Sequence, residues 1–168
     1  ATLESVLETR EALLRDHRRV REDAASLMRK SGQRDYFILE SGSPQRAARL
    51  VRLLQRNSIE VHRVREPLFV QARRMLEGTA GEVAVPIGSY HVPLEQPAGR
   101  LARTLLDRHT DMGKDFIERQ LTRHLNRLDD EIYDVTAWSL PLAWGTECLA
   151  AEGEVKVVSD PVKLGVEQ

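Results

Sequence analysis

The chain is poor in most of the features that announce a chemistry. It holds one cysteine, Cys148, in 168 residues, which excludes an intrachain disulfide and any metal site built on clustered cysteines. Lysine occurs only at positions 30, 114, 156 and 163; the arginine excess that results reflects a GC-rich genome rather than an arginine-specific task. Net charge is nearly absent too, with 25 basic against 26 acidic residues, so composition implies no polyanion partner. No apolar run approaches the roughly 20 residues that a membrane helix needs. The opening ATLESVLETREALLRDH has neither a basic lead nor an apolar signal core, so no targeting segment is expected here. Internal repeats and low-complexity stretches are missing as well.

What is present fits one globular body. A hydrophobic fraction of 41% beside 30% charged residues is ordinary for a soluble domain, and this length suffices to bury one core. The apolar residues Leu3, Val6, Leu7, Leu13, Leu14, Val20, Ala24, Leu27 and Met28 recur at gaps of three, four and seven, which draws one stripe along a long helix. Arg29 and Lys30 complement its dipole before a Ser31-Gly32 stop. The chain starts at Ala1 inside this pattern, as expected of a piece of a longer protein. Residues 1–32 therefore read as a helical linker to an upstream module, and 33–168 as the folded domain.

Tyr36 to Leu39 is an unbroken apolar run too short for a helix, as in a strand buried on both faces. Ser43 and Pro44 then supply an N-cap and a first helical residue. The helix is expected to run to Asn57, which can close it in the left-handed conformation, before a second strand over Ile59 to Val64. Strand, helix and strand in about 30 residues make a βαβ unit with parallel strands. Leu68 to Met75 and Glu82 to Ile87 flank a Gly78–Gly81 turn as a hairpin, with a short helix over Leu68 to Leu76 as the alternative. The stretch around which the chain is organised is Gly88 to Leu106, GSYHVPLEQPAGRLARTLL: a short strand, a break at Gln96-Pro97, then a helix facing inward through Leu101, Ala102, Leu105 and Leu106. After a turn near Asp111 to Gly113, a helix from Lys114 to Leu128 is expected to be buried through Phe116, Ile117, Leu121, Leu125 and Leu128. Asp134 or Thr136 caps a short helix closed by Pro141 or Gly145, and Glu154 to Val158 forms the last strand. The fold expected is α/β, a three-layer Rossmann-like or flavodoxin-like body with a mostly parallel sheet and a long N-terminal helix.

No residue set converges on a reaction. His17, His62, His91, His109 and His124 offer no helical pair at four-residue spacing and no His-x-x-Glu. His62 with Glu66 and His91 with Glu95 are four apart but extended, so about 13 Å separates them. They read as exposed or half-buried strand histidines, and no metal ligand is assigned. Cys148 lacks the small-residue spacing of a nucleophile elbow and reads as a buried structural thiol; a Cys148–histidine enzyme is the outlying reading. Ser41 to Pro44 could present a helix N-terminus to an anion, although capping alone explains it. Trp138 and Trp144 read as core or interface packing, with carbohydrate stacking second. Asp129-Asp130-Glu131 reads as a solvated turn. Catalytic, cofactor-binding and metal-binding residues are none.

Two motifs carry a resemblance. Gly88-Ser89-Tyr90-x-Val92-Pro93-Leu94-x-Gln96-Pro97 with Arg100-Leu101 and Leu105-Leu106, and Tyr133-Asp134-x-Thr136-Ala137-Trp138-x-Leu140-Pro141, resemble segments of large bacterial zinc carboxypeptidase-like proteins. Those segments follow the carboxypeptidase A-like catalytic module, in a region similar to a glutamine-amidotransferase-like α/β domain. The family's His-x-x-Glu pair, later zinc histidine, substrate-carboxylate arginines and general-base glutamate have no counterpart here. The resemblance thus implies a non-catalytic accessory domain whose partner is the catalytic module of the same polypeptide. That parent would be an exported, zinc-dependent, peptide-hydrolysing enzyme, and zinc would belong to it and not to these residues. The alternative is a module binding a peptide or cell-wall glycan through Trp138, Trp144 or Tyr90.

Overall fold

The computed structural model describes residues 2–108, 113–129, 131 and 139–163, with the backbone alone for 2–8. In chain order the elements are α1 (Thr2–Lys30), β1 (Gln33–Ile38), α2 (Pro44–Arg56), β2 (His62–Val64), β3 (Leu68–Arg74), β4 (Ala80–Val85), β5 (Tyr90–Pro93), α3 (Gly99–Leu106), α4 (Lys114–Leu125), α5 (Leu140–Trp144), β6 (Cys148–Glu152) and β7 (Ser159–Pro161). The strands join one seven-stranded sheet in the order β4-β3-β6-β1-β5-β2-β7.

Every strand pair in that sheet is antiparallel, which overturns the expected Rossmann-like or flavodoxin-like parallel sheet. β1 and β2, the strands of the expected βαβ unit, do run the same way. They do not pair, because β5 lies between them and is antiparallel to both. The apolar run in β1 is explained by burial on two faces rather than by parallel pairing. Tyr36 and Ile38 enter one cluster with α2 and α3, whereas Phe37 and Leu39 enter a second on the opposite side. β6 divides likewise, with Cys148 and Ala150 on the helix side and Leu149 and Ala151 on the other. Val155 and Val157 pack against the second cluster, so the segment expected as the last strand is instead an irregular cover over the sheet.

Chain length forces this sheet to curl. β2 and β3 stand four strand spacings apart, about 19 Å in a flat sheet. The step from Val64 to Leu68 spans at most about 14 Å. Curling brings Val64 of β2 into one cluster with Val83 and Val85 of β4. Backbone bonds from Val64 N to Ser89 O (2.9 Å) and from Gly88 N to Val64 O (3.0 Å) fasten the β4–β5 connection onto β2.

The β3–β4 hairpin forms, with Val70 opposite Val83, but its second strand starts at Ala80, inside the expected Gly78–Gly81 turn, and ends at Val85. Ser43 caps α2, its Oγ accepting from Arg46 N at 3.4 Å. α2 buries Ala47, Leu50, Val51 and Leu54. Its left-handed closing residue is Ser58 (φ 59°), one beyond Asn57. α3 buries Ala102 and Leu106 but leaves Leu101 exposed. α4 departs furthest from expectation. Ile117, Leu121, Leu125 and Leu128 are all exposed, and Gln120 is its one buried residue. Gly145 (φ 55°) closes α5, with Pro141 inside it. Asp111, Asp134 and Thr136 lie outside the described residues.

The Gly88–Leu106 stretch does organise the core. The buried Gln96 amide accepts from Glu60 N at 2.6 Å through Oε1, and Nε2 donates to Pro93 O at 2.6 Å and Glu60 O at 3.1 Å. One side chain thus ties the β5–α3 turn to the chain entering β2. A Cβ on Gly99 would stand 1.9 Å from Leu94 O and 3.2 Å from the Met28 side chain. Glycine is therefore required where α1 and α3 close on this turn. Gln96→Ala should cost about 1–3 kcal/mol, since it strands buried backbone groups. Gly99→Ala should be at least as damaging, because backbone must move. Urea unfolding of both variants checks this; wild-type stability in either would remove the turn from its central place.

Candidate functional site

The most concentrated polar geometry lies where β1, β5, β2 and β7 adjoin. His91 on β5 is buried, and its Nε2 lies 2.6 Å from Asp35 Oδ1 on β1, a residue buried to a similar degree. Its Nδ1 faces Ser159 Oγ of β7 at 3.4 Å. The imidazole stacks on Phe37 (centroids 5.1 Å, interplanar 20°) and meets the His62 ring at 5.9 Å. Register explains the grouping. His91 stands opposite Phe37 in one pairing and opposite His62 in the other, so all three rings share the second face. With the carboxylate accepting from Nε2–H, Nδ1 is left to accept the Ser159 hydroxyl proton.

Carboxylate, imidazole and hydroxyl in series are the parts of a nucleophilic triad. The surroundings do not complete one. The hydroxyl contact is long, and Asp160 beside Ser159 would repel a developing oxyanion. Pro161 has no N–H to offer one. Asp160 is itself taken by Arg65, Nε to Oδ2 at 2.5 Å. The series instead links β1, β5 and β7 across the second face.

The other predicted positions fall apart from this group. His17 and His124 are exposed, and His109 lies outside the described residues. His91 is fully enclosed rather than half-buried, because both neighbouring strands and Phe37 cover it. No three His, Cys, Asp or Glu side chains among the described residues are placed to hold a metal ion. Cys148 is completely buried, and desolvation, with a smaller push from Glu147, raises its thiol far above the ordinary range. A thiolate nucleophile there is excluded by the cost of burying its charge. Ser41 to Pro44 serves as the α2 cap. Glu131 of the acidic cluster is engaged rather than freely solvated, lying 3.4 Å from Arg123 and 3.7 Å from Arg119, with its N–H bonded to Gln120 Oε1. Tyr90 is buried beneath the Arg63 guanidinium, 4.3 Å from the ring centroid. Burial raises its phenol, partly offset by Arg63. It offers no ring face to a glycan. Trp144 packs half-buried against the helix-side core, and Trp138 lies outside the described residues.

The surface most out of keeping with a finished globule is α1, 29 residues long. Ala24 and Met28 are buried, and Arg29 pairs with Glu95, its Nε 2.7 Å from Oε1. Every residue from Thr9 to Asp23 is exposed. Leu13, Leu14, Val20 and Leu27 of the predicted stripe are at least half exposed. The stripe was legible in sequence; that it lacks a cover among the described residues was not.

The chain matches no family model, no curated protein and no solved structure. The resemblance to zinc carboxypeptidase-like proteins consequently stands on its two residue patterns alone, and the second falls largely in 132–138, outside the described residues. None of the described helices is long and apolar enough to cross a membrane.

Two measurements check the buried cluster. Asp35→Ala and His91→Ala should each destabilise by roughly 1.5–3 kcal/mol, with the double variant losing less than their sum; strict additivity would deny the link. Burial and the neighbouring His91 also hold His62 below its ordinary value of 6.5. The unfolded chain then takes up this proton first, so stability should fall as pH drops through about 6.5. Melting curves should show that acid slope, made shallower by His62→Gln.

Proposed function

We propose that this chain is a docking module, with α1 as the arm that engages a separate folded body. The carrying observation is the apolar stripe of α1, which is buried at Ala24 and Met28 and continues uncovered through Val20, Leu14 and Leu13. A single amphipathic helix draws most of its stability from packing its apolar face. About four turns held off the body therefore call for a partner surface. The motif resemblance supports a particular occupant, the zinc-bearing catalytic module of a carboxypeptidase-like protein on the same polypeptide. In that reading peptide hydrolysis, zinc and export belong to the parent chain, and the module described here positions or stabilises its neighbour. The enclosed Cys148 and the incomplete Asp35–His91–Ser159 series support a non-catalytic role.

Leu13→Glu/Leu14→Glu should leave the melting temperature of the isolated chain within about 2 °C, since both residues are solvated already. The same change should abolish association with a separately produced carboxypeptidase A-like zinc module, followed by sedimentation. No association of the wild-type chain with such a module would remove this partner. Association unaffected by the double change would remove α1 as the arm.

A further inference from the structure

On the helix side of the sheet, where α3 ends, a cleft of about 490 Å³ opens over β3, β6 and β1, within the range of about 300–1,000 Å³ that small ligands occupy. Four charged side chains line it, and two are already committed. Arg108 Nη1 donates to Met75 O at 2.6 Å and Leu76 O at 2.7 Å. Asp107 accepts from Arg108 N at 2.8 Å and faces Arg103 Nε at 3.7 Å. The remaining two, Arg73 and Glu152, have no side-chain hydrogen bond or ion pair among the described residues. Arg73 on β3 stands opposite Ala150, and Glu152 lies two residues further along β6. They therefore share a face as a diagonal pair, with Cα atoms about 7–8 Å apart. The cleft thus presents one free cation and one free anion side by side and not joined to each other.

The rest of the lining fits the same ligand. Gln33 on β1, opposite Glu152, also lines the cleft, and its Nε2 is buried with no acceptor among the described residues. Behind it the Tyr36 hydroxyl is equally enclosed, and although the Gln33 amide is near enough to influence it, the two do not meet in hydrogen-bond geometry. Met75 and Ala150, both almost fully buried, supply an apolar floor. We propose that this cleft binds a zwitterionic α-amino acid with an apolar side chain. The ligand carboxylate lies on Arg73, its ammonium on Glu152, and its side chain over Met75 and Ala150. A simple anion or a simple amine satisfies one charge and leaves the other unpaired, so both charges are required together. The assignment is independent of α1, which does not line the cleft.

Titration of the full chain with L-leucine, followed by amide ¹H–¹⁵N shifts, tests this. Saturable shifts at Gln33, Arg73 and Glu152 are expected. 4-Methylpentanoate, which lacks the ammonium, and isoamylamine, which lacks the carboxylate, should bind about tenfold more weakly or worse. Arg73→Gln and Glu152→Gln, both at exposed positions, should each weaken leucine by a similar factor while leaving the remaining spectrum unchanged. No saturable shift at these residues overturns the proposal. So does 4-methylpentanoate matching leucine, which would mark a plain anion site, and so does unchanged leucine affinity in Glu152→Gln.

Discussion

The architecture depends on one geometric constraint, a connection too short for a flat sheet. Three residues separate β2 from β3 although four strand spacings lie between them. The sheet must bend until its outer strands approach, and that bend creates the second apolar cluster from Val64, Val70, Val83 and Val85. A sheet bent this way has two buried faces. The helices cover the convex side, and the sheet, together with Val155 and Val157, closes the other. Alternate residues of β1 and β6 are accordingly apolar on both sides.

Several polar groups enclosed by this arrangement are satisfied by links between segments distant in sequence. Gln96 serves three backbone groups 3 and 36 residues away. Asp35 and His91, 56 residues apart, satisfy each other. Arg108 closes two carbonyls at the end of β3. Apart from the Gln96–Pro93 bond, each link joins segments that lie far apart in the chain. Arg73 and Glu152, without a partner among the described residues, lie in a cleft at the margin of this body, and exposed apolar side chains line α1 and α4. Both proposed recognition surfaces lie at the periphery.

Local reading succeeded where the determining forces are local. The α1 stripe, the Ser43-Pro44 start of α2, the Gly78–Gly81 hairpin and the Gly145 stop each follow from backbone preference or periodicity within a few residues. The expectation for α4 failed because an amphipathic pattern states that a face is apolar without stating that something within the chain covers it. Ile117, Leu121 and Leu125 satisfy the helical period equally well exposed. Glu154 to Val158 failed for a related reason. Its alternating valines suit a strand, but the neighbouring ladder position beside β2 is taken by β7, and the segment packs through Val155 and Val157, with Val158 O accepting from Arg65 N at 2.9 Å.

The sequence alone placed the helices and the strands up to β5, but not β6 or β7, and it showed that one cysteine and scattered histidines carry no recognised catalytic motif. Only the tertiary structure decided strand order and direction, because the same doubly buried run in β1 satisfies parallel and antiparallel ladders equally. The parallel reading fell to the insertion of β5 between β1 and β2. The Asp35–His91–Ser159 series and the Arg73–Glu152 cleft were invisible for the same reason. Their members come from strands that are distant in the chain, and register, a property of pairs of strands, is what places them on one face.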